Sequence, residues 1–246
     1  NAIWNDQNRF DTWKLIQEKY VETLEELKIA EAGIAKKIRK AEISKEEVYK
    51  QEKVTNHDLA SFVDILQKKV GEGSNWIHYG LTSSDIVDSA NSLLILQSIE
   101  IAQELILDLL KELKLKAKEN KDTKIIGRTH GVYAEETFLG NIFGNWYLEI
   151  KRSLDRVERA KVSIAYGKLS GPVGNHTVVT EEMEEITLEK LGLKPEIFAS
   201  QIVSRDRYAE VFTSLSILAS TYERISTNLR SYQRSEISEM YEPFKD

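Results

Sequence analysis

Apolar residues recur at helical spacing along most of the chain. Trp4, Phe10, Trp13, Ile16, Tyr20, Leu24 and Leu27 predict an amphipathic helix to about Ala32, with Gly33 only a weak interruption. Ser44 and Glu47 form a capping-box pattern that opens a Lys- and Glu-rich helix to about Lys53. The cap-like turn Thr55-Asn56-His57-Asp58 precedes Leu59, Phe62, Val63, Leu66 and Val70, and Gly71 and Gly73 end that helix. A second capping-box pattern, Thr82-Ser83-Ser84-Asp85, starts a helix running from about Ser84 to Asn120, about 54 Å at 1.5 Å per residue. Its stripe is Ala102, Leu105, Ile106, Leu109, Leu110 and Leu113. After a turn from Lys124 to Gly131, Glu135 and Glu136 are expected to open a further helix to about Lys168, in which Gly140 and Gly144 share a face and predict close approach of a neighbour. A short helix follows from about Glu181 to Leu191. From Arg205, the positions Val211, Leu215, Leu218, Tyr222, Ile225, Leu229 and Tyr232 draw a heptad seam, which needs a nearly parallel or antiparallel partner.

Three such long helices joined by irregular loops predict an all-α fold, an elongated long-helix bundle. It would comprise a small N-terminal helical domain, 1–82, and a central helical-bundle domain, 83–246. Helices of this length are poorly covered by one small chain, so association into a homo-oligomer is expected. Composition narrows the partners. With 34 Lys and Arg against 40 Asp and Glu, a net charge of −6 and no long basic run, nucleic acid is disfavoured, whereas a small anionic ligand could be held by a few cations. The absence of cysteine rules out disulfides and thiolate metal sites and agrees with a cytoplasmic location. No apolar run approaches the roughly 20 residues of a membrane span. The chain starts at Asn1 without a Met and stops just after Pro243-Phe244, so it reads as a piece of a longer protein.

All four histidines fall in turns or at helix ends: His57, His78, His130 and His176. No His-Glu-x-x-His and no pair of histidines at i, i+3 or i, i+4 occurs, so no metal site is expected. No Gly-x-Ser-x-Gly elbow occurs either. The loop from Gly167 to Thr180 holds three Gly and one Pro but lacks the ending of a phosphate loop, and no strand pattern precedes it as a dinucleotide fingerprint requires; no cofactor is indicated. The chemistry left is acid–base work on an anionic substrate. Histidine would carry the proton, and the hydroxyls and N–H groups at a helix start would hold a carboxylate or phosphate. Arg128, Arg205 or Arg207 would supply counter-charge.

Five stretches carry a resemblance: Trp76 to Asp85, Gly127 to Gly131, Leu169 to Gly174, Ser200 to Arg207, and Gln233 to Phe244. In this order they closely resemble the adenylosuccinate lyase family of the fumarase/aspartase superfamily. The resemblance implies a homotetramer with a central helical bundle and active sites assembled from three subunits. It also implies β-elimination of fumarate from adenylosuccinate, yielding AMP, and from the succinocarboxamide ribotide of purine synthesis. By its place in Thr129-His130-Gly131, His130 resembles the general acid, with Thr129 beside it as a substrate contact. Asn56, His57 and Asp58 occupy a substrate-contacting turn that the family usually writes Arg-His-Asp, so Asn56 departs from the pattern and one cationic contact is lost. Thr82 and Ser83 resemble the holders of a substrate carboxylate, Gln201 a substrate contact and His78 a neighbour of the phosphate. The family's Gly-Ser-Ser loop, with its Ser base, is not found in these residues, so the 246-residue chain by itself is expected to bind substrate weakly and turn over negligibly. Argininosuccinate lyase or another superfamily lyase is one alternative, and a non-catalytic helical oligomerisation fragment is the other.

Overall fold

A computed structural model describes residues 2–242. In chain order the helices are α1 (Asp6–Glu26), α2 (Ile34–Lys40), α3 (Lys45–Thr55), α4 (Asp58–Val70), α5 (Ser83–Glu119), α6 (Leu139–Ile164), α7 (Glu181–Lys190) and α8 (Arg205–Tyr232). A short 3-10 helix, Ser74–Trp76, and four strands complete the described elements, the strands being β1 (Lys124–Thr129), β2 (Val132–Phe138), β3 (Tyr166–Gly167) and β4 (Lys194–Pro195). The chain divides into two compact units, Asn1–Ser98 with Ser163–Arg207, and Ile99–Val162 with Tyr208–Asp246. These packing units cut the chain differently from the boundary drawn after residue 82.

In the first unit, the Asn5 side chain caps α1 by accepting from the Asn8 amide at 3.0 Å. The helix buries Phe10, Trp13, Ile16, Tyr20, Val21 and Leu24, the stripe its periodicity predicts. It ends at Glu26, earlier than expected. Lys28 turns left-handed, and the amides of Ile29 and Ala30 both bond back to the Leu24 carbonyl. Gly33, at φ 100°, then starts the separate helix α2, so it divides two helices where a weak interruption was expected. The predicted capping box of α3 is formed, with Ser44 and Glu47 exchanging both bonds. The rings of Phe10, Trp13 and Phe62 meet edge-on or stacked at centroid distances of 5.2 to 6.1 Å, which ties α1 to α4. Leu169, Val179, Met183, Leu188 and Leu193 join the same core, so the glycine-rich loop and α7 belong to it. The strands β3 and β4 pair in parallel through two residues each.

The second unit holds the main departure from expectation. Residues 124–138 form an antiparallel hairpin, with Thr129 opposite Val132 and a bulge between Ile126 and Arg128. Helix α6 therefore begins at Leu139, not at Glu135. His130 and Gly131 are the two loop residues, both at positive φ, 54° and 79°, as the tight turns that suit strand twist require. The β-branched and aromatic flanks Ile125, Ile126, Val132, Tyr133, Thr137 and Phe138 favour strands over a helix start. Helix α8 buries Val211, Leu218 and Ile225 of the predicted seam, while Leu215, Leu229 and Tyr232 are half-buried and Tyr222 is exposed; the polar Ser214 and Thr221, outside the seam, are buried in their place.

The two glycines of α6 differ. A Cβ at Gly140 would lie 2.6 Å from the Ala117 carbonyl oxygen and 2.9 Å from the Lys121 Cα, so the predicted close approach is there, made by the end of α5. Gly144 has nothing within 4 Å. Gly140→Ala is accordingly expected to destabilise the protein by about 2 kcal/mol through overpacking against backbone. Gly144→Ala should stabilise by up to about 1 kcal/mol through helix propensity. Urea midpoints of the two variants check both signs.

Candidate active site

The residues singled out by sequence separate between the units. Asn56, His57, Asp58, His78, Thr82, Ser83 and Gln201 lie in the first, and Thr129 and His130 in the second.

Within the first unit, two of the motif turns converge. Asn56 ends α3 in the left-handed conformation at φ 54°, a position asparagine tolerates better than a long side chain would, and its amide bonds to Glu52. His57 follows as the cap of α4, its Nδ1 accepting from the Ala60 amide at 3.4 Å. An accepting Nδ1 assigns the proton of the neutral ring to Nε2. Nε2 lies 3.3 Å from the Ser83 hydroxyl at the start of α5, so His57 donates to Ser83 and leaves the serine hydrogen to point at another acceptor. Asp58 Oδ1 accepts from the Leu59 amide at 2.7 Å and lies 3.4 Å from His57 Nδ1.

The start of α5 differs in detail from a simple hydroxyl cap. The Thr82 amide donates to Asp85 Oδ2 at 2.8 Å, so the reciprocal, carboxylate half of the box is in place. Asp85 is also fully buried and paired with the equally buried Lys168. His78, at φ 64°, is held by the buried Gln17 of α1. Gln17 Oε1 accepts from the His78 amide, and Gln17 Nε2 lies 2.9 Å from the ring Nδ1. Burial, and then the nearby His57, push the His78 ring down to about 4, so it is neutral at ordinary pH. The glycine-rich loop is moulded onto this region. A Cβ on Gly80 would meet Val178 Cγ1 at 2.5 Å, and one on Gly174 would meet the Ala199 carbonyl at 2.1 Å, two residues before the exposed Gln201. His176 lies 3.1 Å from the Val179 carbonyl and 3.4 Å from Glu184, and so braces the loop from within.

In the second unit, His130 is exposed at the hairpin tip with Thr129. Arg128, behind it on β1, is paired bidentately with Glu239 at 2.8 and 3.1 Å, and its guanidinium lies 5.2 Å from the Tyr133 ring centre. The other two proposed counter-charges are likewise engaged within the chain. Arg205 pairs with Asp88, and Arg207 pairs with Glu196 while stacking 3.5 Å from the Tyr166 ring centre. The three arginines therefore act as structural ties here, each already facing a carboxylate. Pro243 and Phe244 of the last motif lie outside the described residues. Among the described residues no group of three His, Cys, Asp or Glu gathers as metal ligands would, and no helix is long and apolar enough to cross a membrane.

Sequence reading missed Gln17, Lys168 and the buried role of Asp85. Gln17 was detectable, as a polar residue in register with Trp13, Tyr20 and Leu24 on the buried face of α1. Lys168 gave no signal, since a lysine in a glycine-rich loop reads as exposed.

Comparison with known proteins shows the family and the fold. Adenylosuccinate lyase of Thermotoga maritima is 41% identical over 244 residues, 99% of this chain and 57% of that protein. The Bacillus subtilis adenylosuccinate lyase is 38% identical over 248 residues, again 99% and 57%. The chain thus spans a little over half the length of the curated relatives it matches. Among solved structures, a fumarate lyase from Mesorhizobium superposes with a TM-score of 0.90 at 20% identity, covering 98% of this chain and 59% of that one. A β-carboxy-cis,cis-muconate cycloisomerase from Acinetobacter calcoaceticus gives 0.91 at 20%, covering 100% and 60%; at this identity both show the fold, a helical bundle of the fumarate lyase kind. Matched from residue 5 to residue 245 by the lyase family model, this chain belongs to that family.

Proposed function

We propose that this chain belongs to an enzyme that eliminates fumarate from adenylosuccinate, giving AMP, and from the succinocarboxamide ribotide of purine synthesis. The observation that carries the reading is the convergence of the His57 turn on Ser83 at the start of α5, with the nitrogen and oxygen 3.3 Å apart. Two sequence-distant turns that resemble substrate contacts of this family thereby meet at a helix N-terminus, where the partial positive charge and free N–H groups favour a carboxylate.

In the proposed reaction a base removes a proton from the succinyl carbon adjacent to the carbon bearing nitrogen. The electron pair is delocalised into the neighbouring carboxylate and then forms the double bond of fumarate as the C–N bond breaks. His130 gives its proton to the departing nitrogen, a task suited to an imidazole near neutral pH. Thr82 and Ser83 hold a succinyl carboxylate, with Ser83 set as a donor by His57. Asn56, His57, Asp58, Thr129 and Gln201 contact the substrate, and His78, being neutral, would serve the phosphate as an N–H donor and not as a cation. The same reading includes a cytoplasmic homotetramer with sites shared among subunits. Ile101, Leu105, Leu107, Leu148, Phe212 and Ile217 of the second unit are large, apolar and exposed, as such association would use.

Amide spectra of isotope-labelled protein, titrated in parallel with adenylosuccinate and argininosuccinate, test the reading. Adenylosuccinate is expected to shift residues 56–58 and 78–83. A response to argininosuccinate alone would move the assignment to another lyase of the superfamily, and no response to either would favour a non-catalytic helical protein.

A further inference from the structure

None of the roles above uses the ion pair of Asp85 and Lys168, although both side chains are fully buried. Asp85 Oδ2 accepts from the Thr82 amide at 2.8 Å and from the Gly171 amide at 3.2 Å, while Oδ1 faces the Lys168 ammonium. That ammonium also donates to the Gly171 carbonyl at 2.9 Å. The Lys168 backbone is bound at both ends to Ser89, one turn further along α5, at 3.1 and 3.2 Å, and the next amide, Leu169, donates to Glu184 at 2.6 Å. The loop is therefore fastened to the first two turns of α5 by directional bonds. Its far end lies against Gly80 through Val178.

Stability is a poor reason for this device. Removing two charges from water is costly, and well-packed apolar residues in place of a buried pair are often as stable or more so. What such a pair adds is direction, because charge-assisted bonds hold their donors to narrow distances and angles. Here the donors held are the Thr82 amide, at the residue where the chain enters α5, and the Gly171 amide of the loop covering it. Asp85 would also place a negative charge beside a site for an anion, and Lys168 cancels it.

We propose that Asp85 and Lys168 are positioning residues, which set the backbone at Thr82 and Ser83 so that both side chains meet a succinyl carboxylate. The proposal rests on the function proposed above. It predicts an effect confined to the succinyl part of the ligand, because the purine and phosphate parts are shared with AMP.

The test compares adenylosuccinate and AMP affinities, by ligand-detected NMR titration, for the unsubstituted protein and two variants. Asp85→Leu combined with Lys168→Met removes the pair while filling its space. Asp85→Glu keeps the charge and displaces the carboxylate, and it decides the matter if the double variant does not fold. Each folded variant, melting within a few degrees of the parent, is expected to bind adenylosuccinate about tenfold more weakly or worse, with AMP affinity unchanged. Parent-like affinity for both ligands, or an equal loss for both, would overturn the positioning role alone. A parent that binds AMP but gains nothing from the succinyl group, or binds neither ligand, would overturn the functional reading and this role with it.

Discussion

In the complete enzyme to which this chain is proposed to belong, replacing His130 with glutamine is expected to slow fumarate release from adenylosuccinate by about 100-fold or more, with affinity for the substrate changed by less than about twofold. The asymmetry follows from the timing of the proton. A general acid acts as negative charge develops on the leaving nitrogen, so its contribution appears in the transition state and hardly at all in the bound ground state. The hairpin should tolerate the change. His130 is exposed, and the strands behind it are held by Arg128 with Glu239 and by Lys124 with Glu136 at 2.9 Å, none of which involves the imidazole. The cost is local, because glutamine is less at ease than histidine at φ 54°. His130→Asn, which suits that conformation but carries no transferable proton at neutral pH, separates backbone strain from chemistry and should lose as much rate. Single-turnover measurement with protein in excess brings even a slow elimination within reach. Intact turnover in both variants would remove His130 from the acid role, and intact rate with weakened binding would make it a substrate holder.

The tip that carries His130 is legible in the sequence, while the element beneath it is not. Thr129-His130-Gly131 reads as a turn, yet Glu135 and Glu136 suggest the start of a helix. A two-residue turn with both φ values positive allows the pairing of Thr129 with Val132 and lets the β-branched flanks close a hairpin. Local signals succeed where the bond partners are near in sequence: Ser44 with Glu47, His57 capping α4, and Thr82 with Asp85 are all visible within four residues. They fail where the partner is distant. Asp85 reads as an ordinary cap until Lys168, 83 positions away, is brought to it, and Arg205 reads as a free cation until Asp88 meets it. Gly140 and Gly144 look alike in the sequence, and only the end of α5 distinguishes them. Charge on a side chain is local information, whereas its neutralisation is tertiary.

His78 provides the other large effect, on stability against pH. Its amide and ring are both satisfied by the one Gln17 amide group: Oε1 accepts from the His78 backbone at 2.9 Å, so Nε2 donates to Nδ1 at 2.9 Å. The ring is thus a neutral acceptor at Nδ1, and protonation there would set two N–H groups against each other. Burial, and after it the nearby His57, pushes the ring down to about 4 from an ordinary 6.5, in the same direction as this conflict. Between these values the unfolded chain takes up a proton that the folded one refuses, so stability falls as pH drops from about 6.5 and the loss is complete a little below 4. Each tenfold weakening of proton affinity corresponds to about 1.4 kcal/mol, so the full loss amounts to about 3 kcal/mol. His78→Asn is the informative substitution, since asparagine offers an acceptor close to Nδ1, tolerates the left-handed backbone at φ 64° and does not titrate. Urea midpoints of both proteins at about pH 7, 5.5 and 4.5 give the contrast, because carboxylates common to the two cancel in the difference. The parent should lose stability relative to the variant at each step downward. Equal slopes would mean that His78 accepts its proton in the folded state and that Gln17 turns its amide to meet it.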